Sequence, residues 1–175
     1  MGKRDHLKDY VPTEDGGYEY VGTHWRWPSA EIRAAFIKDA RMVYGVAVAC
    51  LVVAGCVPAP GTFGAFYVVL PFLIGTLGVV LGGVALFRLL SEADPMRDHI
   101  YAANATSLSP KLLVGAAGAV VCAAAALIHG IVLTATASPE ASLPFSFLFA
   151  GLMFGSAVCL WRIHTDFSKI IFTRE

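Results

Sequence analysis

Four long stretches without Asp, Glu, Lys or Arg constrain this chain more than any other feature of its sequence. They cover residues 42–57, 63–87, 112–133 and 143–161. A helix needs about 20 apolar residues to cross about 30 Å of hydrocarbon. The second and third stretches reach that length, and the first and fourth draw on flanking residues such as Arg41 and Arg162, whose long side chains extend their charges to the headgroups. Because the stretches lack the alternation of a membrane barrel strand, the sequence predicts an all-α polytopic protein with a four-helix transmembrane bundle.

The distribution of basic residues predicts how this bundle is oriented. All 13 Lys and Arg residues precede the first stretch, separate the second from the third, or follow the fourth, and the connections 58–62 and 134–142 hold none. The positive-inside rule assigns the basic side to the cytoplasm. Of the 13 acidic residues, only Glu140 falls on the other side. We therefore expect both termini in the cytoplasm and a location in the cell (inner or plasma) membrane.

The first stretch is expected to remain as a membrane anchor. About 40 residues precede it, which is too long a leader for a secretory signal peptide. Residues 53–56 have the residue types of a lipoprotein cleavage site, but the leader has the wrong composition, so Cys56 is expected to stay unmodified.

The cytoplasmic segments carry their own patterns. Residues 1–28 mix charges with aromatic side chains, and Asp15-Gly16-Gly17 lies between two short alternating stretches, which favours a hairpin. Residues 29–41 are expected to form an amphipathic lead-in helix with Ser29 as its N-cap. Ser109-Pro110 is expected to open the third helix, and residues 162–175 form a tail. The candidate binding residues here are aromatic: Tyr18, Tyr20, Trp25 and Trp27. We interpret them first as interfacial anchors, and alternatively as a docking surface for a protein partner.

Two pairs of glycines indicate close helix packing. Gly78 and Gly82 lie one turn apart in the second stretch, as do Gly151 and Gly155 in the fourth. Small residues at this spacing let helix backbones approach each other in lipid. We favour packing within one chain, and a homodimer through these faces is the alternative.

His129 is the only ionisable side chain well inside a predicted span. A titratable group in this position is a candidate proton relay, quinone contact or metal ligand. Because it lies toward the outer end of the third span, we favour a histidine satisfied by interfacial water or by a hydroxyl of Thr62, Thr134 or Ser142.

The sequence predicts no catalytic residue, metal site or cofactor. Its cysteines lie in or at the edges of the spans without a C-x-x-C pair, and a metal centre needs several ligands at one depth. It contains no nucleophile motif or phosphate-binding loop, and no nucleic-acid partner is expected.

One resemblance rests on short motifs. Asp9-Tyr10, Asp15-Gly16, Tyr18-x-Tyr20, Gly22 and Trp25, followed by four spans and by Pro95-Met96-Arg97 with Tyr101, make the chain similar to small uncharacterised bacterial four-helix membrane proteins. The resemblance implies the topology and no activity. The sequence therefore favours a non-enzymatic accessory or scaffold subunit that contacts the bilayer and a cytoplasmic protein partner. The alternative is a small dimeric transporter or channel-like protein with a site near His129.

Overall fold

The computed structural model describes residues 9–13, 15–58 and 61–175. Residues 1–8, 14 and 59–60, which belong to the predicted N-terminal segment and the first outer connection, lie outside this range. In the described part, four helices are long and apolar enough to cross a membrane. They are α1 (Ala30–Cys56), α2 (Phe66–Ser91), α3 (Asp98–Ala135) and α4 (Leu143–Ser168). The chain is thus mostly helical, as expected of a multi-pass membrane protein.

The helices are longer than the apolar stretches that identified them. The lead-in and the first stretch form one continuous helix, α1, whose N-cap is Ser29: its hydroxyl accepts a hydrogen bond from the Ile32 amide at 3.1 Å. Ser109-Pro110 does not open α3. That helix begins at Asp98 and passes through a π-helical turn, Tyr101–Ala105, before reaching Pro110. Apolar stretches mark the part of a helix that suits hydrocarbon, whereas backbone hydrogen bonding continues into polar residues beyond it.

The helices contact one another in an order that differs from their order in the chain. α1 packs along α4, α4 along α3, and α3 along α2, whereas α1 and α2 touch little. Between these two, the Tyr44 hydroxyl donates to the Val79 carbonyl at 2.7 Å. The helix α3 therefore lies between α2 and α4 and contacts both along its length.

The α2–α3 contact is close because glycines face each other across it. A Cβ atom placed on Gly78 would lie 2.3 Å from the Cα atom of Gly115, and one placed on Gly118 would lie 2.6 Å from the amide nitrogen of Gly75. The two backbones touch directly, which is the arrangement that small residues permit in a membrane.

At the basic end of the helices the described residues also form five short strands, of which the sequence predicts only the two of the hairpin. These are β1 (Tyr10–Pro12), β2 (Tyr18–Tyr20), β3 (His24–Arg26), β4 (Met96–Arg97) and β5 (Thr173–Arg174). Strands β1 and β2 form an antiparallel hairpin in which Tyr10 pairs with Tyr20, at the position where the sequence predicts one. Strand β3 lies at the centre of a second sheet, between β4 and β5 and antiparallel to both.

This second sheet joins three segments that are far apart in the sequence. Trp25 in β3 pairs with Met96 from the α2–α3 connection and with Arg174 from the C-terminal tail. We call residues 9–13, 15–28, 92–97 and 169–175 the cap. The cap covers the basic end of all four helices, and its chain segments are held in register by backbone hydrogen bonds.

Candidate functional site

Trp25 is fixed within the cap rather than offered at its surface. Its indole stacks on the Tyr101 ring with centroids 4.1 Å apart and planes 12° from parallel. Its Nε1 donates to Asp98 Oδ1 at 2.8 Å, a hydrogen bond strengthened by the carboxylate charge. Because Asp98 is the first residue of α3, this pair attaches the central strand of the cap to that helix.

Trp27 forms the centre of the cap's apolar interior. Only 2% of its surface is exposed, and its ring contacts those of Phe172 and Phe36 at 4.9 and 5.8 Å between centroids. Its backbone amide donates to Asp94 Oδ1 at 3.4 Å, whereas its Nε1 has no hydrogen-bond partner in the described chain. The Trp27 ring therefore lies between α1 and the C-terminal tail. In this conformation it contacts neither lipid headgroups nor a docked partner.

The two candidate tyrosines lie two residues apart on the same face of β2 but differ in burial and contacts. The Tyr20 ring contacts the rings of Tyr10, His24 and His99 at 5.2, 5.1 and 6.0 Å, and its hydroxyl donates to the Thr23 carbonyl at 3.2 Å. Burial raises the pKa of Tyr20 above its usual value. Tyr18, in contrast, is 74% exposed. The hairpin is thus held to the cap through Tyr20 and presents Tyr18 outward.

The outward face of the hairpin is apolar and acidic. Pro12, the cross-strand partner of Tyr18, is exposed beside it, and the described residues between 9 and 21 include Asp9, Asp15 and Glu19 but no Lys or Arg. The hydroxyl of Tyr10 accepts a hydrogen bond from Arg97 Nη1 at 3.1 Å, which ties the first strand to the α2–α3 connection. The surface formed by Tyr18 and its cross-strand partner Pro12, which we call the hairpin face, therefore adjoins Tyr10 and Tyr20, which hold it in place from the same side of the hairpin.

His129 lies at the opposite end of the helices. Its Nε2 is 3.1 Å from the Gly61 carbonyl oxygen, and its Nδ1 is 2.5 Å from the Tyr67 hydroxyl. A carbonyl only accepts, so Nε2 donates, and in the neutral ring Nδ1 then accepts from Tyr67. The protein itself supplies both partners of the ring, Tyr67 and Gly61, and neither is one of the predicted hydroxyls.

The predicted packing glycines separate into two kinds. Gly78 and Gly82 both face α3, with Gly82 next to the side chain of Leu112. On α4, Gly155 faces Cys50 of α1, whereas a Cβ atom on Gly151 would meet nothing within 4 Å. Gly151 therefore leaves open space beside α4 instead of bringing two helices together within this chain.

Metal-ligand side chains do not converge in the part of the chain that the structure describes, where no group of three or more His, Cys, Asp or Glu side chains could hold an ion. The cysteines, Cys50, Cys56, Cys122 and Cys159, are all free thiols. No protein-family model, curated protein or solved structure matches the chain. Its function is therefore argued from its own geometry.

Proposed function

We propose that this chain is a multi-pass protein of the cell membrane with both termini in the cytoplasm, and that it acts as a non-enzymatic accessory subunit whose cap binds a protein partner. The observation that carries this proposal is the hairpin face. Tyr18 is the most exposed aromatic residue of the cap at 74%, while the tryptophans beside it are fixed by internal contacts.

The charge of the hairpin favours a protein partner over the membrane surface. The cytoplasmic leaflet is negatively charged and attracts basic segments, so Asp15 and Glu19 next to Tyr18 oppose adsorption to it. Exposed tyrosine with apolar neighbours is typical of the energetically important centre of protein interfaces. A partner with a basic rim around an apolar pocket complements the hairpin face best.

The attachment of the hairpin also supports binding. An isolated two-stranded hairpin is only marginally stable in water, and ordering it on binding would reduce affinity. The ring contacts of Tyr20 and the Arg97–Tyr10 hydrogen bond order it in advance, which lowers the entropic cost of binding.

A photo-crosslinking amino acid at Tyr18 tests the proposal in native membranes. The expected product is a discrete protein adduct that weakens when Glu19→Lys is added, because the charge complementarity is lost. Phe87 is the matched control: it is 70% exposed on α2 within a predicted span and should give lipid adducts only. Lipid adducts alone at both positions would refute the proposed partner, and an adduct of twice the chain's mass would identify a homodimer.

The membrane orientation is tested separately. Thr136→Cys should react with an impermeant thiol reagent added outside, because the 134–142 connection is free of Lys and Arg. Ser107→Cys, at the basic end of α3, should react only after the membrane is permeabilised. The reverse pattern would invert the proposed topology.

The transporter alternative gains no comparable observation. Both ring nitrogens of His129 already have partners within the protein, so the ring offers no free nitrogen to a substrate or ion in this state.

A further inference from the structure

Two recesses lie between α2 and α3, one polar and one apolar. The polar recess, at the basic end of the helices, has a volume of about 310 Å³ and is lined by polar side chains that include Arg88, Glu92, His99 and Asn104. The apolar recess, of about 210 Å³, lies farther along the same two helices and is lined by residues that include Leu77, Leu81, Lys111 and Val114. We call the two recesses together the α2–α3 groove.

The two parts lie on one face of α2. Leu77, Leu81, Arg88 and Glu92 follow at intervals of four, seven and four residues, which is the spacing of a single helix face. Seven residues separate Leu81 from Arg88, so the apolar part begins about 10 Å from the charged part at 1.5 Å per residue. That spacing matches the distance between the headgroup and the upper acyl chain of a phospholipid.

The charged side chains of Arg88 and Glu92, at the polar end, do not form ion pairs. Neither the Arg88 guanidinium nor the Glu92 carboxylate has an ion-pair or hydrogen-bond partner in the described chain, although Arg162 and Asp166 at the same four-residue spacing do pair. Lys111 extends back toward the basic end, where its Nζ donates to Ser107 Oγ at 2.8 Å. The groove thus holds two cations and one anion without a mutual charge pair.

The other wall of the pocket is the π-helical turn of α3. Asn104 in this turn is 7% exposed, and its Nδ2 donates to the Ile100 carbonyl at 3.0 Å. Ser107 Oγ contacts the Ala103 carbonyl at 2.6 Å. Such turns widen a helix locally and are common at functional sites. Here the widened turn provides a polar wall opposite Arg88.

We infer that this groove binds one phosphatidylethanolamine molecule. Its phosphate lies between Arg88 and Lys111, its ammonium group reaches the Glu92 carboxylate, and one acyl chain follows Leu81, Leu77 and Val114. The inference rests on the membrane placement proposed above, and it is independent of the hairpin face.

Charge complementarity selects this headgroup among the membrane phosphates. A free phosphate would satisfy the cations but leave the apolar groove without an occupant. An anionic phosphatidylglycerol would satisfy Arg88 but place no positive group on Glu92, whose carboxylate would then stand beside the phosphate uncompensated. A headgroup with one phosphate and one primary ammonium places an anion between the two cations and a cation with N–H donors, which choline lacks, beside the Glu92 carboxylate.

Native mass spectrometry of the full chain released from detergent micelles tests the site. The protein is titrated with palmitoyl-oleoyl phosphatidylethanolamine, with the matching phosphatidylglycerol, and with inorganic phosphate. We expect a one-to-one ethanolamine lipid complex bound about tenfold more tightly than the glycerol lipid, the scale of one charge-assisted contact. Arg88→Gln should weaken ethanolamine lipid binding about tenfold, and because Arg88 is exposed the variant should fold as the parent does.

Glu92→Gln separates headgroup recognition from general lipid adhesion. It should remove the preference between the two lipids while leaving phosphatidylglycerol binding unchanged or tighter. Arg162→Gln, which removes an exposed cation at the same end of the helices, should leave both affinities unchanged. Equal affinities of the unsubstituted protein for the two lipids, no effect of Arg88→Gln, or displacement of lipid by inorganic phosphate would each overturn the inference. None of these results affects cross-linking at Tyr18, so the partner proposal is judged on its own.

Discussion

Gly78→Ala tests the close contact between α2 and α3 most directly. The added Cβ atom would lie 2.3 Å from Gly115 Cα and 2.4 Å from its amide nitrogen. An ordinary carbon–carbon contact is about 3.5 Å or more, so the backbones must separate by roughly 1.2 Å. The obstructing atoms belong to a backbone and cannot rotate away. The whole helix pair must therefore adjust.

The size of the effect follows from two opposing contributions. Overpacking of a rigid contact costs about 1–3 kcal/mol, whereas replacing a mid-helix glycine by alanine contributes about 0.5–1 kcal/mol in favour of folding. Gly151→Ala provides the matched control, because it makes the same chemical change within a predicted span and its Cβ atom meets nothing within 4 Å. The propensity gain cancels between the two variants. Their difference in unfolding free energy should therefore be about 1–3 kcal/mol.

Reversible unfolding in mixed detergent micelles, followed by circular dichroism, measures this difference. Gly118→Ala opens the same contact, since its Cβ atom would lie 2.6 Å from the Gly75 amide nitrogen. Once one variant has separated the helices, the other costs less, so the double variant should lose less than the sum of the two. Equal stability of Gly78→Ala and Gly151→Ala within about 0.5 kcal/mol would refute the direct backbone contact.

Three further outcomes concern the cap. Trp27→Ala should destabilise the protein by about 3–5 kcal/mol because the indole is buried. Trp27→Phe should cost clearly less, since it keeps a ring and removes an unpaired N–H. Thermal unfolding of the two variants compares these costs. Asp98→Ala should cost about 1.5–3 kcal/mol by leaving the Trp25 indole without its acceptor, and the shift of tryptophan fluorescence to longer wavelength reports it. The pKa of Tyr20 is raised in the folded chain, so the folded state binds the hydroxyl proton more tightly than the unfolded state does. The resulting contribution to the free energy of unfolding is complete below about pH 10 and is lost as the pH rises through the folded pKa. In Tyr20→Phe, the melting temperature should fall less between about pH 9 and about pH 11 than it does in the parent protein. An equal fall in both proteins would show that other groups cause it.

The helices were predictable because hydrocarbon thickness imposes a length on them. Residues 42–57 and 143–161 were found by the absence of charge, which is a local property of the sequence. The start of α1 was also predictable from the Ser29 cap, whereas the start of α3 was not, because that helix begins at Asp98 and continues through Pro110, near which the sequence predicts its start. Hydropathy records where a helix meets the bilayer, and the hydrogen-bonded helix extends beyond it.

The cap was only partly predictable, for a related reason. The hairpin has a local turn at Asp15-Gly16-Gly17, which its own sequence reveals. The β3 sheet pairs strands of two or three residues from distant parts of the chain, too short for any periodicity to develop. Trp25 and Trp27 stand among charges in the sequence, and so we interpreted them as surface residues. Their partners Tyr101 and Phe172 come from other segments.

Glu92 is the residue at which the cap and the α2–α3 groove meet. Its carboxylate lines the groove, while its backbone carbonyl accepts a hydrogen bond from Arg33 Nη2 at 2.5 Å, which fixes the end of α2 to α1. Trp25 and Asp98 hold the start of α3 to the cap only a few residues farther on. A lipid in the groove would lie beside this connection, through which Arg97 contacts Tyr10 of the hairpin. If the lipid and the partner each favour the same arrangement of this connection, each must raise the affinity of the other by the same factor. Binding of the partner measured with and without phosphatidylethanolamine would determine that factor.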